Sequence, residues 1–296
     1  MSFKSGFVSI IGKPNAGKST LLNRLTGEKI AIISNKPQTT RNTIRTILTD
    51  SESQIIFIDT PGIHRPKTKL GEYMVNEINE SLGSVDIIIY LVDVKRTYIR
   101  EEERSLLERL KTTDKKVILG LNKIDLIDKQ DLLPIISKYK DEMNFSGIYP
   151  ISAMDGYGVE DILTKIKELL PEGPMYYPAD SLTDQPEREI VAEIIREKML
   201  RLLDDEVPHG IGVEIMKFKD RENKDLVDIE ATIYCEKSSH KGIIIGKKGS
   251  MLKRIGMYAR EDIERMLNTK INLQLWVKIK DDWRNSKAML NTLGYK

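Results

Sequence analysis

The first 170 residues alternate short apolar runs with amphipathic segments. Apolar runs typical of buried strands occupy residues 7–11, 55–58, 85–92, 117–121 and 148–151. Apolar residues at helical spacing lie between several of these runs, at residues 101–110, 132–139 and 159–170. Alternation of this kind predicts an α/β domain in which a mostly parallel sheet carries helices on both faces.

One pair of predicted strands departs from the parallel pattern. Residues 43–50 and 54–59 are joined only by Ser51-Glu52-Ser53, a connection short enough for a hairpin. We therefore expect a mixed sheet with one antiparallel strand at its edge.

A proline-rich stretch follows this domain. Pro171, Pro174, Pro178 and Pro186 crowd a segment that cannot continue as a helix. We predict a first domain over residues 1–170, a linker over 171–188 and a second domain over 189–296.

The second domain has the pattern of an α+β fold. Helical periodicity over residues 190–203 is followed by strand-like alternation at 212–219 and 226–236. A turn between two helices follows, with the later helix at 250–267, then a strand at 271–280 and a helical tail. The predicted order of the elements is α-β-β-α-α-β.

Composition limits the function classes. The net charge of the 296 residues is +2, so any contact with a polyanion must be local. Cys235 is the only cysteine, which excludes an internal disulfide and fits a reducing, cytoplasmic setting. Its alternating surroundings predict a thiol packed in a strand. The apolar runs are too short to span a bilayer, and residues 1–6 lack a signal-peptide pattern.

A phosphate-binding motif follows the first predicted strand. Residues 12–19 fit the pattern G-x-x-x-x-G-K-[ST], in which backbone N–H groups surround a polyphosphate at a helix N-terminus. Lys18 would contact the β- and γ-phosphates, and the Ser19 hydroxyl would bind Mg²⁺. The residues predicted to bind nucleotide here are Gly12, Lys13, Pro14, Asn15, Ala16, Gly17, Lys18, Ser19 and Thr20.

Three further motifs end predicted strands, at the edge of the sheet where ligands bind in such folds. The first contains Asp59, Thr60, Pro61, Gly62 and Ile63; the second contains Asn122, Lys123, Ile124 and Asp125; the third contains Ser152 and Ala153.

Each of these motifs has a predicted role at a nucleotide. Asp59 would hold Mg²⁺ through water, and the Gly62 N–H would meet a γ-phosphate. Asp125 can accept hydrogen bonds from N1–H and the exocyclic amine of guanine, a donor pair that adenine lacks, so it favours GTP over ATP. A backbone N–H of Ser152 or Ala153 can reach the guanine O6.

The polar loop 35–41 is the candidate for a switch that senses the γ-phosphate. A threonine hydroxyl in this loop could complete the Mg²⁺ shell. Thr40 is our choice, with Thr39 as the rival and a solvated connection as the alternative. Lys18, Thr40 and Gly62 are the predicted catalytic residues, and Ser19, Thr40 and Asp59 are the predicted Mg²⁺ ligands.

The second domain contains a G-x-x-G turn formed by Gly246, Lys247, Lys248 and Gly249. From Lys237 to Arg260 there are seven Lys or Arg and no Asp or Glu. Such a turn, after an isoleucine-rich segment, clamps single-stranded nucleic acid in KH domains. The alternative is a solvated basic helix face. The predicted RNA-binding residues are Lys241, Ile244, Gly246, Lys247, Lys248, Gly249, Lys253 and Arg254.

The order of the nucleotide motifs resembles that of the Ras-like GTPase superfamily, with one departure. Ras-type enzymes have a glutamine after Asp-x-x-Gly to orient the attacking water, whereas Ile63 stands here and cannot do so. In one branch with a hydrophobic residue at this place, a P-loop asparagine helps to hold K⁺. Asn15 matches that asparagine, and whether it binds K⁺ or only shapes the loop stays open. We expect slow intrinsic hydrolysis.

The pairing of such a GTPase domain with a type II KH domain resembles the Era family of bacterial GTPases over nearly the whole chain. The resemblance implies a P-loop GTPase fold followed by a KH fold, with GTP hydrolysis coupled to binding near the 3′ end of 16S rRNA. It also implies action in assembly of the 30S ribosomal subunit, contact with the 30S precursor, peripheral association with the cytoplasmic membrane and a monomeric state. Two alternatives remain: a GTPase of tRNA modification, and an RNA-binding module with a regulatory nucleotide site.

Overall fold

The alternating first half of the chain forms strands and helices as predicted. The computed structural model describes residues 2–27, 31, 32, 34, 36, 39–63, 66–95, 99, 101–222 and 225–295, apart from the side chain of Glu102. Its first strands are β1 (Lys4–Gly12), β2 (Ile44–Thr49), β3 (Ser53–Asp59), β4 (Ile87–Asp93), β5 (Lys116–Asn122) and β6 (Gly147–Ile151). The helices among them are α1 (Lys18–Thr26), α2 (Lys69–Gly83), α3 (Glu101–Lys111), α4 (Lys129–Glu142) and α5 (Val159–Leu169).

These strands form one mixed sheet in the order β2-β3-β1-β4-β5-β6. Only β2 runs antiparallel, at the edge beside β3. Along β4, Ile87 and Ile89 pack into one core, and Ile88 and Tyr90 pack into another on the opposite face. Both faces of the sheet are therefore covered, as the continuous apolar runs predict.

Helix α2 is an element that the apolar pattern did not lead us to predict. Its buried residues Leu70, Met74 and Ile78 are spaced four apart, which places them on one face of a helix. Polar residues separate these three, so the helix has no contiguous apolar run. Only the four-residue spacing would have predicted it.

The chain divides into two compact units, and the proline-rich segment up to Asp184 belongs to the first. We name residues 171–184 the strap. The Gly173 N–H donates to the Phe3 carbonyl at 3.1 Å, and the Ile47 N–H of β2 donates to the Leu182 carbonyl at 2.8 Å. In this part the predicted linker is thus ordered along the first unit.

Buried Gln54 of β3 is the centre of the strap's contacts. Its amide oxygen accepts the N–H groups of Tyr176 and Tyr177 at 2.7 and 3.0 Å. Its amide nitrogen donates to the Tyr177 carbonyl at 2.8 Å and to Thr49 Oγ1 at 3.0 Å. A fully buried amide with its hydrogen bonds made in this way fixes the strap in place.

The second unit contains a three-stranded sheet with the predicted element order. Its elements are α6 (Glu187–Leu202), β7 (Gly212–Asp220), β8 (Leu226–Cys235), α7 (Ser238–Ile245), α8 (Ser250–Leu267), β9 (Lys270–Ile279) and α9 (Lys287–Thr292). Strand β8 lies in the middle, antiparallel to β7 and parallel to β9. Cys235 is buried in β8, which confirms the strand thiol, and Trp283 packs inside with its Nε1–H donating to the Gly210 carbonyl at 2.9 Å.

The second unit also includes the short segments Ser34–Thr39 and Pro66–Tyr73. Within it, Arg196 of α6 donates to the Thr39 carbonyl, and Lys36 donates to the Leu203 carbonyl at the end of α6. A lysine at the C-terminal end of a helix also interacts favourably with the helix dipole.

Candidate nucleotide site and nucleic-acid groove

The P-loop connects β1 to α1 along a path that requires its glycines. A Cβ on Gly12 would lie 2.3 Å from the Leu91 carbonyl oxygen, and one on Gly17 would lie 2.2 Å from Asn122 Nδ2. Asn15 has a φ of 64°, a left-handed conformation that asparagine tolerates better than most residues. The loop-shaping interpretation of Asn15 therefore has a structural basis, and K⁺ binding stays a prediction.

Lys18 is the buried cation of this loop. Its ammonium donates to the carbonyls of Gly12 and Lys13, both at 3.2 Å. Burial lowers the Lys18 pKa to about 8, although the nearby negative charge of Asp59 acts in the opposite direction. An anion placed beside this ammonium would favour its charged form.

Ser19, Thr40 and Asp59 form a compact cluster of oxygen atoms. Asp59 Oδ2 accepts from Ser19 Oγ at 2.7 Å and from Thr40 Oγ1 at 3.2 Å, and the two hydroxyls lie 3.1 Å apart. Burial raises the pKa of Asp59, partly offset by Lys18 and the two hydroxyls.

This cluster fits a hard divalent cation. Asp59 is fully buried, and its Oδ1 has no hydrogen-bond partner within the described parts of the chain. Carboxylate and hydroxyl oxygens are the ligands that Mg²⁺ prefers, and a cation would satisfy the remaining carboxylate oxygen.

The geometry distinguishes the two threonines of the candidate switch. The Thr39 hydroxyl donates to the Lys36 carbonyl at 2.6 Å, whereas the Thr40 hydroxyl lies against Asp59. Of the two threonines, Thr40 is therefore the one that belongs to the cluster of oxygen atoms. Asn35, Pro37 and Gln38 of the predicted switch lie outside the described residues.

The Asp-x-x-Gly segment approaches the P-loop closely. A Cβ on Gly62 would lie 2.8 Å from Pro14 Cα, so only glycine fits there without displacing the loop. The Ile63 N–H donates to the Gly12 carbonyl at 3.1 Å, and its side chain packs against the core beside β1 and β4. This placement explains how an apolar residue is accommodated where Ras-type enzymes carry glutamine.

The predicted base-binding motif is tied to the P-loop. Asn122 Nδ2 donates to the Ala16 carbonyl at 2.7 Å, and its Oδ1 accepts the Ala153 N–H at 2.9 Å. Lys123 pairs with Asp93 at 2.6 Å, and Asp125 is exposed.

The predicted contact to guanine O6 requires a correction. The Ala153 N–H donates to Asn122, and the Ser152 N–H donates to the Tyr157 carbonyl at 3.0 Å. Both amides therefore have partners inside the protein, and neither is available for O6 as placed. Sequence alone does not tell which amide of a loop is free to face a ligand.

In the second unit, the G-x-x-G turn lies between α7 and α8 in a backbone conformation that requires its glycines. Gly246 and Gly249 have φ values of 70° and 80°, and a Cβ on Gly246 would lie 2.8 Å from the Met251 nitrogen. Lys247 and Lys248 are exposed at the tip, where their charges can meet phosphates.

A groove of about 490 Å³ begins at this turn and runs between α8 and β9. Its floor is apolar and its rim is basic, the combination expected for bases below and phosphates above. It is lined by Gly249, Leu252, Lys253, Gly256, Met257, Arg260, Ile271, Asn272, Leu273 and Leu275. Lys253 and Gly249 were predicted, whereas the contribution of β9 was missed, because alternation along a strand does not tell which neighbour faces a groove.

One residue predicted to bind RNA lies elsewhere in the structure. Ile244, predicted to bind RNA, is fully buried in the core, and the exposed isoleucine is Ile243, at 48%. One step along a helix turns a side chain by about 100°, so a run of three isoleucines cannot all face the ligand. On the neighbouring strand β9, Trp276 is also exposed, at 55%.

The two units and their sites define a class of protein: a P-loop GTPase domain followed by a KH domain. Residues 7–123 match the model of a family described as 50S ribosome-binding GTPases, and residues 206–284 match the KH domain model. The mixed sheet with the motifs at its strand ends and the α-β-β-α-α-β unit agree with this class.

The chain belongs to the Era GTPase family. It is 60% identical to the GTPase Era of Ruminiclostridium cellulolyticum over 296 residues, which covers 100% of this chain and 99% of that one. It is 54% identical to the GTPase Era of Clostridioides difficile over 294 residues, with 99% of each chain covered.

Two solved structures resemble the whole chain. A variant of Aquifex aeolicus Era bound to GDP and aluminium tetrafluoride superimposes with a TM-score of 0.95 at 39% identity. An Era bound to MgGDPNP and nucleotides 1506–1542 of 16S ribosomal RNA also gives 0.95, at 40% identity. Each comparison covers 99% of both chains.

Within the described residues, no helix has both the length and the apolar character needed to cross a membrane.

Proposed function

We propose that this protein is a GTP-hydrolysing switch that binds single-stranded rRNA, near the 3′ end of 16S rRNA, and acts in assembly of the 30S subunit. The observation that carries the proposal is that one chain contains both the Ser19–Thr40–Asp59 cluster beside Lys18 and a basic-rimmed groove next to a G-x-x-G turn. The related Era bound to MgGDPNP and a 16S rRNA segment supports it.

The residues of the P-loop would act on the phosphates of GTP. The buried ammonium of Lys18 would interact strongly with the phosphates, because the local dielectric constant is low. The loop's backbone N–H groups would surround the β-phosphate. Mg²⁺, held by Ser19, Thr40 and, through water, Asp59, would neutralise charge on the phosphate oxygens. The close approach of Gly62 to Pro14 puts its backbone next to the loop, where a γ-phosphate would be met.

Hydrolysis by this site would be slow without help. Ile63 has no polar group to orient the attacking water, so positioning has to come from the backbone, a cation or a partner. Stimulation by K⁺ held beside Asn15 is one such source and is tested by replacing Na⁺ with K⁺. An unchanged turnover number would exclude it.

RNA recognition would use the groove of the second unit. Unstacked bases would lie on Leu252, Met257 and Leu275, while Lys247 and Lys248 would meet the backbone. The polar edge of Asn272 offers hydrogen bonds to base edges from the same wall.

The strap gives this switch a physical route from the nucleotide to the second unit. Strand β2 begins at Ile44, four residues after Thr40, and carries the strap through Ile47. Thr183 Oγ1 donates to the Arg45 carbonyl at 2.6 Å, and Arg45 pairs with Asp184 at 2.9 Å. Movement of Thr40 with the γ-phosphate would shift β2 and hence the chain entering α6.

The decisive experiment measures the affinity for a 16S rRNA 3′-end oligonucleotide in the presence of GDP or a non-hydrolysable GTP analogue. We expect several-fold different affinities for the two states, reduced to near equality in Gln54→Ala, with exposed Gln130→Ala as the matched control. If the wild type binds RNA equally in both nucleotide states, RNA cannot change nucleotide affinity either, because coupling between two ligands is reciprocal. Absence of GTP turnover would contradict the proposed GTPase activity.

Crosslinking to cellular RNA with and without the GTP analogue separates the two alternatives. Recovery of tRNA would favour a GTPase of tRNA modification. RNA binding without nucleotide hydrolysis would favour a module with a regulatory site. Contact with the 30S precursor, a monomeric state, a cytoplasmic location and peripheral membrane association remain part of the proposal, tested by co-sedimentation with ribosomal particles and with vesicles.

A further inference from the structure

A buried ion pair holds the P-loop from outside the five nucleotide motifs. Lys13, the second residue of the loop, pairs with Glu103 in the first turn of α3 at 2.5 Å. The two side chains are only 14% and 7% exposed. Removing one partner of an ion pair so withdrawn from water strongly destabilises the structure around it, because the other charge is then buried without compensation.

Two tyrosines lie near Glu103, and the hydroxyl of one of them, Tyr90, has no hydrogen-bond partner among the described residues. Tyr90 of β4 and Tyr139 of α4 lie next to it, with their ring centroids 6.4 Å apart in an edge-on arrangement. Burial, together with the negative charge of Glu103, raises the pKa of both tyrosines, so their hydroxyls stay protonated.

Lys13 connects this cluster to the phosphate-binding lysine. The Lys13 carbonyl accepts from Lys18 Nζ at 3.2 Å and from the Ala16 N–H at 3.2 Å. The side chain that Glu103 holds therefore belongs to the residue whose backbone orients Lys18. The next residues of the loop carry the left-handed Asn15 and the glycine that Asn122 approaches, and strained backbone of this kind persists only when its surroundings constrain it.

The loop has anchors at three described points. Ile63 holds the Gly12 carbonyl, Asn122 holds the Ala16 carbonyl, and Glu103 holds Lys13. The first two anchors belong to residues of the nucleotide motifs. Glu103 comes from α3, which contributes no residue to those motifs, so it can hold the loop in every nucleotide state.

We propose that Glu103 is a positioning residue of the nucleotide site, which fixes the P-loop through Lys13 and so sets the affinity for the phosphates shared by GDP and GTP. The inference rests on the proposed GTPase function. Because the β-phosphate is common to both nucleotides, loss of the anchor weakens both alike, mainly through faster release. The chemical step at saturating GTP changes little, since Glu103 touches no reacting atom.

The test measures release rates of fluorescent GDP and GTP analogues, equilibrium affinities and the turnover number at saturation. For Glu103→Gln we expect about a tenfold weaker affinity for both nucleotides, with the turnover number within about twofold. Lys13→Met should give a similar loss, and the double variant should lose little more than either single variant, since the two residues act as one pair. Lys13→Arg, which keeps the charge, should restore most of the affinity.

Glu108→Gln is the matched control, because Glu108 lies on the same helix and, within the described residues, forms a surface pair with Lys111. It should leave both affinities unchanged. Melting curves show whether Glu103→Gln folds; if it does not, Lys13→Met and Lys13→Arg give the same comparison. Unchanged affinity in a folded variant, or additive losses in the double variant, would overturn the proposal. Failure of the wild-type protein to bind GTP would instead overturn the proposed function.

Discussion

The nucleotide site and the RNA groove are constructed in opposite ways. The nucleotide site is made of polar side chains and backbone groups in short motifs, each at the end of a strand. Lys18, Ser19, Asp59 and Asn122 reach their partners through hydrogen bonds of 2.7–3.2 Å. The groove is an apolar floor between a helix and a strand, and exposed lysines at the neighbouring turn supply positive charge.

This difference decides which changes each site tolerates. In the nucleotide site Lys18, Asp59 and Asn122 are buried, so substituting one of them leaves a charge or carbonyl without compensation. In the groove the basic residues are solvated and contribute by summed electrostatics, so single losses are modest and depend on salt. Four substitution or titration experiments test this contrast.

The largest effect is expected for Lys18→Ala. Removing the buried ammonium should weaken GTP and GDP binding by about a thousandfold, as loss of a preorganised charge does in other sites. The affinity for RNA in the absence of nucleotide should change by less than about twofold, because the groove has its own core. Isothermal titration measures both. Lys140→Ala, at an exposed position of α4, is the control. A parallel loss of RNA affinity in Lys18→Ala would contradict the independence of the two sites.

A smaller and more specific effect is expected for Asp125→Asn. The carboxylate accepts from two donors on guanine, and an amide replaces one acceptor by a donor. The GTP affinity should fall by about a hundredfold, while the affinity for xanthosine triphosphate, which has an acceptor at that place, should rise. A loss of both affinities would indicate damage to the loop rather than a change of base recognition.

The prediction for the groove concerns the double variant Lys247→Glu/Lys248→Glu. Both lysines are exposed at the tip of the turn, so the fold should be unaffected. RNA affinity should fall by about thirtyfold at low salt, and the slope of log affinity against log salt should decrease by about 2. Lys219→Glu, at an exposed place on β7, is the matched control. A loss that is independent of salt would contradict an electrostatic role.

The same contrast explains what could be predicted from the sequence. The nucleotide motifs could be predicted because each consists of contiguous residues, and the spacing within such a motif largely determines its backbone conformation. The groove was only half predictable: the glycines and lysines of the turn are contiguous, but Met257, Asn272 and Leu275 meet only through the packing of α8 on β9.

Other features depend on tertiary structure in the same way. The ordered strap looks like a free linker in sequence, since its prolines exclude a helix without telling where the chain docks. Glu103 is one of three successive glutamates, and only the fold places it beside Lys13. The buried Ile244 shows the opposite error: a residue predicted at the surface lies in the core, because composition alone does not tell which face of a helix is exposed.

The smallest effect is a proton linkage at Lys18, which should separate the two sites by pH. In the free protein the Lys18 pKa is about 8, below its ordinary value, because burial disfavours the ammonium. Bound phosphates favour the charged form, so above pH 8 nucleotide binding requires uptake of a proton. Affinity for GDP should therefore fall as pH rises, by about fourfold between pH 7.0 and 8.5. Lys247 and Lys248 are exposed to solvent, without the burial that affects Lys18, so RNA affinity should stay constant over this range.

Titration calorimetry at pH 8.5 in buffers of different ionisation enthalpy measures this proton uptake directly. A fraction of a proton near three quarters is expected for nucleotide and near zero for RNA. The free energy of unfolding gives the sign independently. Because the Lys18 pKa is lower in the folded than in the unfolded state, the unfolded chain binds more protons between about pH 8 and 10. The free energy of unfolding of the nucleotide-free protein should therefore rise with pH over that interval. Nucleotide binding without proton uptake would mean that Lys18 is fully charged before the ligand arrives, and that its burial is balanced by Asp59 alone.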